Sequence, residues 1–181
     1  MDPRTFLPAR PLTLSRVPGA GDPAPRLPVA LEPDRPAIVA FLRHTGCPFA
    51  EATMQMLRDG AAASPQIDWI AVSHAPQPET ARWCDRVGGA GAVRVLSDPG
   101  RVSYAAWGLG RTNAGHFMGR RSLTAAARLA RRGIRNTHPA GTRWQQAGTF
   151  ALDSDHIVRW RQLPAHAGDL PDIPAAVAAI R

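Results

Sequence analysis

The chain has 181 residues, 44% of them apolar, which suffices for one domain with a real core plus an extension and excludes wholesale disorder. No apolar run approaches the roughly 20 residues of a membrane span, the N-terminus lacks the apolar stretch of a secretory signal, and two cysteines support neither a disulfide framework nor a four-ligand zinc site. The expected location is therefore cytoplasmic. All 22 basic residues are Arg, and the net charge of +8 speaks to association with anionic partners rather than to fold.

Residues 1–35 carry eight of the 18 prolines, a density that prevents helix and central strand. They read as an extended arm with short edge segments at Leu12–Leu14 and Pro28–Leu31. The domain proper begins at residue 36. Ala37 to Leu42 is an unbroken apolar run suited to the middle of a parallel sheet, within a strand over 37–44. Gly46 permits a sharp turn. Pro48 suits a first helical position. That places Cys47 at a helix N-terminus, where free N–H groups and the helix dipole favour a thiolate, the reactive form of the side chain. The helix is expected to run from Pro48 to about Asp59 and to be closed by Gly60.

Further elements follow in alternation: a strand at Ile67–Ser73, a helix at Pro78–Val87, a strand at Val93–Ser97, and a helix opened by Pro99 and capped by Ser97 or Asp98. Residues 108–147 read as an insertion. It holds a helix from Ser122 to about Arg132 or Ile134, with Leu123, Ala126, Ala127, Ala130 and Ile134 on one side and Arg128, Arg131, Arg132 and Arg135 on the other. Thr149–Leu152 and His156–Arg161 flank the turn residues Asp153-Ser-Asp155 and predict an antiparallel hairpin. A helix over Asp172–Ile180 closes the chain. This order predicts an α/β fold of the thioredoxin-like type: a mixed central sheet flanked by helices, with an inserted Arg-rich helix before the C-terminal hairpin.

Residues 36–180 resemble the peroxiredoxin-like members of the alkyl hydroperoxide reductase/thiol-specific antioxidant branch of the thioredoxin superfamily. The resemblance rests on Phe41-Leu-Arg-His-Thr-Gly-Cys-Pro48, on Val95-Leu-Ser-Asp-Pro99 with Tyr104-Ala-Ala-Trp-Gly-Leu109, on Gly141–Asp153, and on Ala167-Gly-Asp-Leu-Pro-Asp172. It implies a thiol-dependent antioxidant oxidoreductase in which Cys47 attacks a hydroperoxide. Three departures stand out. Ala40 and His44 occupy the positions where peroxiredoxins carry Pro and Thr or Ser, so Thr45 is the candidate hydroxyl from a shifted turn. Ala147 stands where the family places an Arg, leaving Arg43 or Arg143 to supply the guanidinium. Ala50 replaces the second cysteine of a Cys-x-x-Cys turn, which excludes dithiol exchange there.

The candidate catalytic residues are therefore Cys47, Thr45 and Arg43. Each has a plainer reading. Cys47 is otherwise a buried small residue, Thr45 a helix cap, and Arg43 a solvated or ion-paired side chain. His44 reads as structural. The spacing of Cys84 reads as core packing, so an external thiol (glutathione, a glutaredoxin or a thioredoxin) is expected to complete a one-cysteine cycle. No cofactor and no metal are expected, a nucleic-acid role is not expected, and a homodimer is left open. A one-cysteine redox sensor, or a non-enzymatic module that binds a partner through the Arg helix, is the alternative. The Arg side of that helix reads first as a solvated face.

Overall fold

A computed structural model of the chain describes residues 10–135, 137 and 139–181. The first nine residues of the arm, with Pro3 and Pro8, and the loop positions Asn136 and His138 lie outside the described residues. The elements in chain order are β1 (Ala37–Phe41), α1 (Pro48–Ala63), β2 (Asp68–Ser73), α2 (Gln77–Arg86), β3 (Arg94–Ser97), α3 (Val102–Ala106), α4 (Ala114–Met118), α5 (Arg120–Arg131), β4 (Gly148–Leu152), β5 (Val158–Gln162) and α6 (Ile173–Ala178). Together they form one mixed sheet in the order β3-β2-β1-β4-β5. The pairs β1–β2 and β2–β3 are parallel, and β1–β4 and β4–β5 are antiparallel. This is the thioredoxin-like arrangement.

The two central parallel strands are buried along their whole length, as unbroken apolar runs require when both sheet faces are covered. One face packs Ile38, Ala40 and Leu42 with Met54, Leu57, Trp69 and Trp83. The other packs Val39, Phe41 and Val72 with Tyr104, Trp107 and Phe150, where Phe41 meets Tyr104 edge-on at 5.0 Å between ring centroids. The arm joins this second face through Val17, Ala24, Leu27 and Leu31. Among its described residues the one pairing is at Pro23, opposite Ile157; neither 12–14 nor 28–31 forms a strand.

Several boundaries depart from the sequence reading. β1 ends at Phe41, because Arg43 to Gly46 turn away from the ladder. α1 runs through Gly60 to Ala63 instead of stopping there. A Cβ at Gly60 would lie 2.3 Å from the Trp69 ring, so this glycine serves close packing against a buried indole and not helix termination. α3 starts three residues after Pro99. The Asp98 carboxylate accepts from the N–H groups of Val102, Ser103 and Tyr104 at 3.0, 2.8 and 3.3 Å, with the left-handed Arg101 between.

The insertion contains two helices where one was expected. Asn113 caps the short α4 by accepting from the His116 N–H at 3.0 Å. Ser122 lies inside α5, where its hydroxyl donates to the His116 carbonyl at 2.6 Å. The buried side of α5 is Ser122 and Leu129 with the half-buried Ala125 and Ala126, whereas Leu123 is 58% exposed. The packed face is thus rotated from the purely apolar one, because a serine with two backbone partners is buried as readily as an alanine. The Arg-bearing side faces solvent, as expected.

Candidate active site

The site lies at the C-terminal ends of β1 and β2, where open α/β sheets place their ligands. Tyr104 joins the two ends: its hydroxyl shares one proton between the carbonyls of Leu42 at 2.8 Å and Val72 at 2.7 Å. Beyond Leu42 the chain turns through Arg43 and His44 to Gly46, whose φ of +81° only glycine adopts without strain. The Cys47 N–H donates to the His44 carbonyl at 3.2 Å and closes this turn. Cys47 is the N-cap of α1 and Pro48 opens the helix. No side chain caps this helix, so the sulfur sits at its first turn with no capping oxygen competing for the N–H groups. Cys47 is only 4% exposed.

Arg43 is not solvated, and no ion pair to it occurs among the described residues. It is 5% exposed. Nη2 donates to the Arg143 carbonyl at 3.2 Å, while Nε and Nη1 are buried without a hydrogen-bond partner among the described residues. Arg143 comes from the segment that folds over the turn. Its guanidinium is close enough to Cys47 for a negative sulfur to favour its charged form. Burial and the Arg43 charge pull the other way and prevail, so its pKa lies below the usual value.

Thr45 does not cap α1. Its hydroxyl donates to the Ala140 carbonyl at 3.4 Å and accepts from the Ala140 N–H at 3.3 Å. With Thr137 N–H donating to the Gly46 carbonyl at 3.0 Å, these contacts tie the overlying segment to the turn. His44 is buried, and desolvation lowers its pKa to about 3. It is neutral at pH 7, and since a carbonyl only accepts, Nδ1–H donates to Thr45 O at 2.9 Å.

The sequence reading gave His74 no role, yet the structure brings it here. It follows β2 directly, and its position at the end of a central parallel strand was the signal that could have found it. Nε2–H donates to the Thr142 carbonyl at 3.0 Å, leaving Nδ1 a buried acceptor with no partner among the described residues. Burial, with the charges of Arg101 and Arg43 behind it, lowers the His74 pKa to about 4. The positive charge at the cysteine turn therefore comes from Arg43, which belongs to the turn, and from Arg143, which feels Cys47, while His44 and His74 are neutral. Cys84 is also free. It lies in the core face of α2, and burial pushes its thiol pKa up.

No helix among the described residues is long and apolar enough to cross a membrane. A search of curated protein sequences finds no match. Among solved structures the chain is similar to a peroxiredoxin-like protein from Aquifex aeolicus, with a TM-score of 0.65 and 15% identity over 92% of this chain and 91% of that one. It is also similar to a thiol peroxidase from Chromobacterium violaceum, with a TM-score of 0.63 and 15% identity over 93% and 89%. For the bacterioferritin comigratory protein of Xanthomonas campestris, the TM-score is 0.52 and the identity 11% over 81% and 76%. At these identities the likeness is one of fold. The model of a protein family described as AhpC/TSA antioxidant enzyme matches residues 55–164, more than half of the chain; the match includes His74 and Arg143 and begins beyond Cys47. The chain belongs to the AhpC/TSA antioxidant enzyme family.

Proposed function

We propose that the chain is a thiol-dependent peroxidase that reduces hydroperoxides at Cys47. The observation that carries this reading is the buried Arg43 guanidinium in the cysteine turn, with two of its nitrogens, Nε and Nη1, lacking a hydrogen-bond partner among the described residues. A buried cation with unsatisfied donors costs several kcal/mol in general. An anionic or strongly accepting group at the same place offsets that cost, and a thiolate attacking a peroxide supplies one. The Cys47 sulfur attacks one peroxide oxygen, the S–O bond forms and the O–O bond breaks, and the departing oxygen leaves as an alcohol or water after taking a proton. Arg43 and Arg143 stabilise the charge that moves from sulfur to the leaving oxygen. Thr45 acts by holding the 137–143 segment, and so Arg143, over the turn.

The product is a Cys47 sulfenic acid. With no second cysteine in the turn, and with Cys84 packed in the core at a raised pKa, an external thiol returns it to the reduced form. One thiol condenses with the sulfenic acid and releases water, and a second breaks the mixed disulfide. The test is consumption of hydrogen peroxide in excess dithiothreitol. The reading expects turnover in the native protein and in Cys84→Ser, and loss of it in Cys47→Ser. Turnover that persists in Cys47→Ser overturns it.

A further inference from the structure

From Pro99 to Leu152 the chain carries nine Arg and no Asp or Glu. The structure gathers four of them on the outer side of α5. Arg120 and Arg121 occupy its first turn, where the helix dipole disfavours cations and no acidic residue offsets them. Arg120, Arg121, Thr124 and Arg128 line an open groove of about 410 Å³ with His166 and Asp169. The Asp169 carboxylate is engaged by Gln162 and by the Ala165 N–H. Among the described residues no salt bridge involves Arg120, Arg121, Arg128 or Arg131.

Two large apolar side chains stand exposed in the same segment, Met118 at 64% and Leu123 at 58%. At 100° per residue Leu123 shares the outer side of α5 with Arg120 and Arg131. Exposed Met and Leu on one flank of a row of Arg give the face the mixed apolar and charged composition of a protein-binding surface. A phosphodiester backbone makes no use of the aliphatic pair. A second copy offering this same face would set Arg against Arg. The four Arg extend along about 18 Å of helix, more than one small anion touches at once.

The surface adjoins the cysteine turn. A Cβ on Gly168 would lie 2.3 Å from Ala125 of α5 and 3.2 Å from the ring of Phe49, in the first turn of α1. Beyond α5 the chain passes through the buried Ile134 to Thr137, which bonds to Gly46.

We infer that the outer face of α5 docks an acidic protein that carries the reducing thiol for Cys47. This inference rests on the peroxidase reading of Cys47. The partner thiol condenses with the Cys47 sulfenic acid, forming a mixed disulfide and releasing water. A second thiol of the partner then attacks that disulfide, so that Cys47 leaves as the thiol and the partner keeps the two-electron oxidation as its own disulfide.

The test uses two synthetic peptides, identical but for six Glu in one and six Gln in the other, each with one Cys. A Ser version of each, labelled with a fluorophore, reports binding by anisotropy without any redox step. The inference predicts that the Glu peptide binds at least about tenfold more tightly at low salt, and that 0.5 M salt (about three times the physiological level) removes the difference. Arg120→Gln/Arg121→Gln/Arg128→Gln also removes it, and Met118→Ser/Leu123→Ser weakens binding at either salt.

In a Cys84→Ser background treated with peroxide, the Glu peptide forms the Cys47 mixed disulfide faster than the Gln peptide by a similar factor. Equal binding of the two peptides overturns the docking inference, as does a single-stranded oligonucleotide of equal charge binding more tightly and indifferently to Met118→Ser/Leu123→Ser. Oxidation of Cys47 by peroxide, followed separately, reports on the peroxidase reading alone.

Discussion

Arg43 Nη2 donates to the carbonyl of Arg143 at 3.2 Å, so one arginine of the cysteine turn holds the backbone that carries the guanidinium interacting with Cys47. The bond leaves Nε and Nη1 of Arg43 buried and without a partner among the described residues, and activity and stability are expected to oppose each other at this residue. Replacing a buried, unpaired cation by a well-packed apolar side chain is often neutral or stabilising, while removing a charge-stabilising donor from a reaction centre costs about 10²–10³ in rate. Arg43→Met is therefore predicted to slow oxidation of Cys47 by hydrogen peroxide about a hundredfold and to leave the urea midpoint unchanged or raised. A lowered midpoint with undiminished oxidation would make Arg43 a structural residue.

The buried histidines set the acid limit of stability. His44 and His74 have folded-state values of about 3 and about 4, below the unfolded value of roughly 6.5. Between these limits the unfolded chain binds more protons, so stability is complete above the unfolded value and falls as pH drops. Each histidine contributes a slope of up to about 1.4 kcal/mol per pH unit. Urea denaturation at pH 7, 6 and 5 is expected to show a steepening loss, and His74→Asn is expected to flatten it. A stability independent of pH across that range would contradict the neutral, buried assignment.

Gly60 offers a test of the fold that runs against helix propensity. Alanine normally improves a helix interior by about 1 kcal/mol over glycine. Here a Cβ would meet three ring atoms of Trp69 at 2.3, 2.7 and 3.0 Å, and Trp69 is buried with its Nε1–H donating to Ser64 O at 3.0 Å. Gly60→Ala is predicted to destabilise by about 1–3 kcal/mol through overpacking. A stabilised variant would refute the contact.

The same residue shows what was and was not legible in the sequence. The apolar run of β1, the Gly46 turn and Pro48 are local signals, and they located Cys47 at the head of α1 because backbone preferences alone decide those positions. The alternation of later strands and helices pointed to a mixed sheet for a similar reason. Gly60 was misread as a stop because its neighbour Trp69 is close only in space. Thr45 reads locally as a cap or a catalytic hydroxyl, and its bonds to Ala140 have no local signal because that partner lies far along the chain. His74 carried no local pattern; only the position of β2 beside β1 brings it to the site. The buried side of α5 was set too far toward Leu123, because a scale of apolarity cannot anticipate a buried Ser122 whose hydroxyl is bonded on both sides.

Tyr104 is predicted to matter to the site more than its distance along the chain suggests. Its hydroxyl holds the carbonyls of Leu42 and Val72, the last backbone groups before the turns that bear Arg43 and His74. Tyr104→Phe leaves Leu42 O short of a donor and should cost about 1–2 kcal/mol. Hydrogen exchange is expected to rise at Arg43–Thr45 and at His74–Ala75 while the β1–β2 ladder stays protected. Uniform loosening of the sheet would assign Tyr104 a general core role instead.

The most direct test of the account is the mass of the protein after one equivalent of hydrogen peroxide, with a sulfenic-acid trap present and peptide mapping to locate the adduct. The account predicts one trapped oxygen on Cys47, none on Cys84, and no adduct in Cys47→Ser. A protein that stays fully reduced, or one that carries the adduct on Cys84, would contradict it.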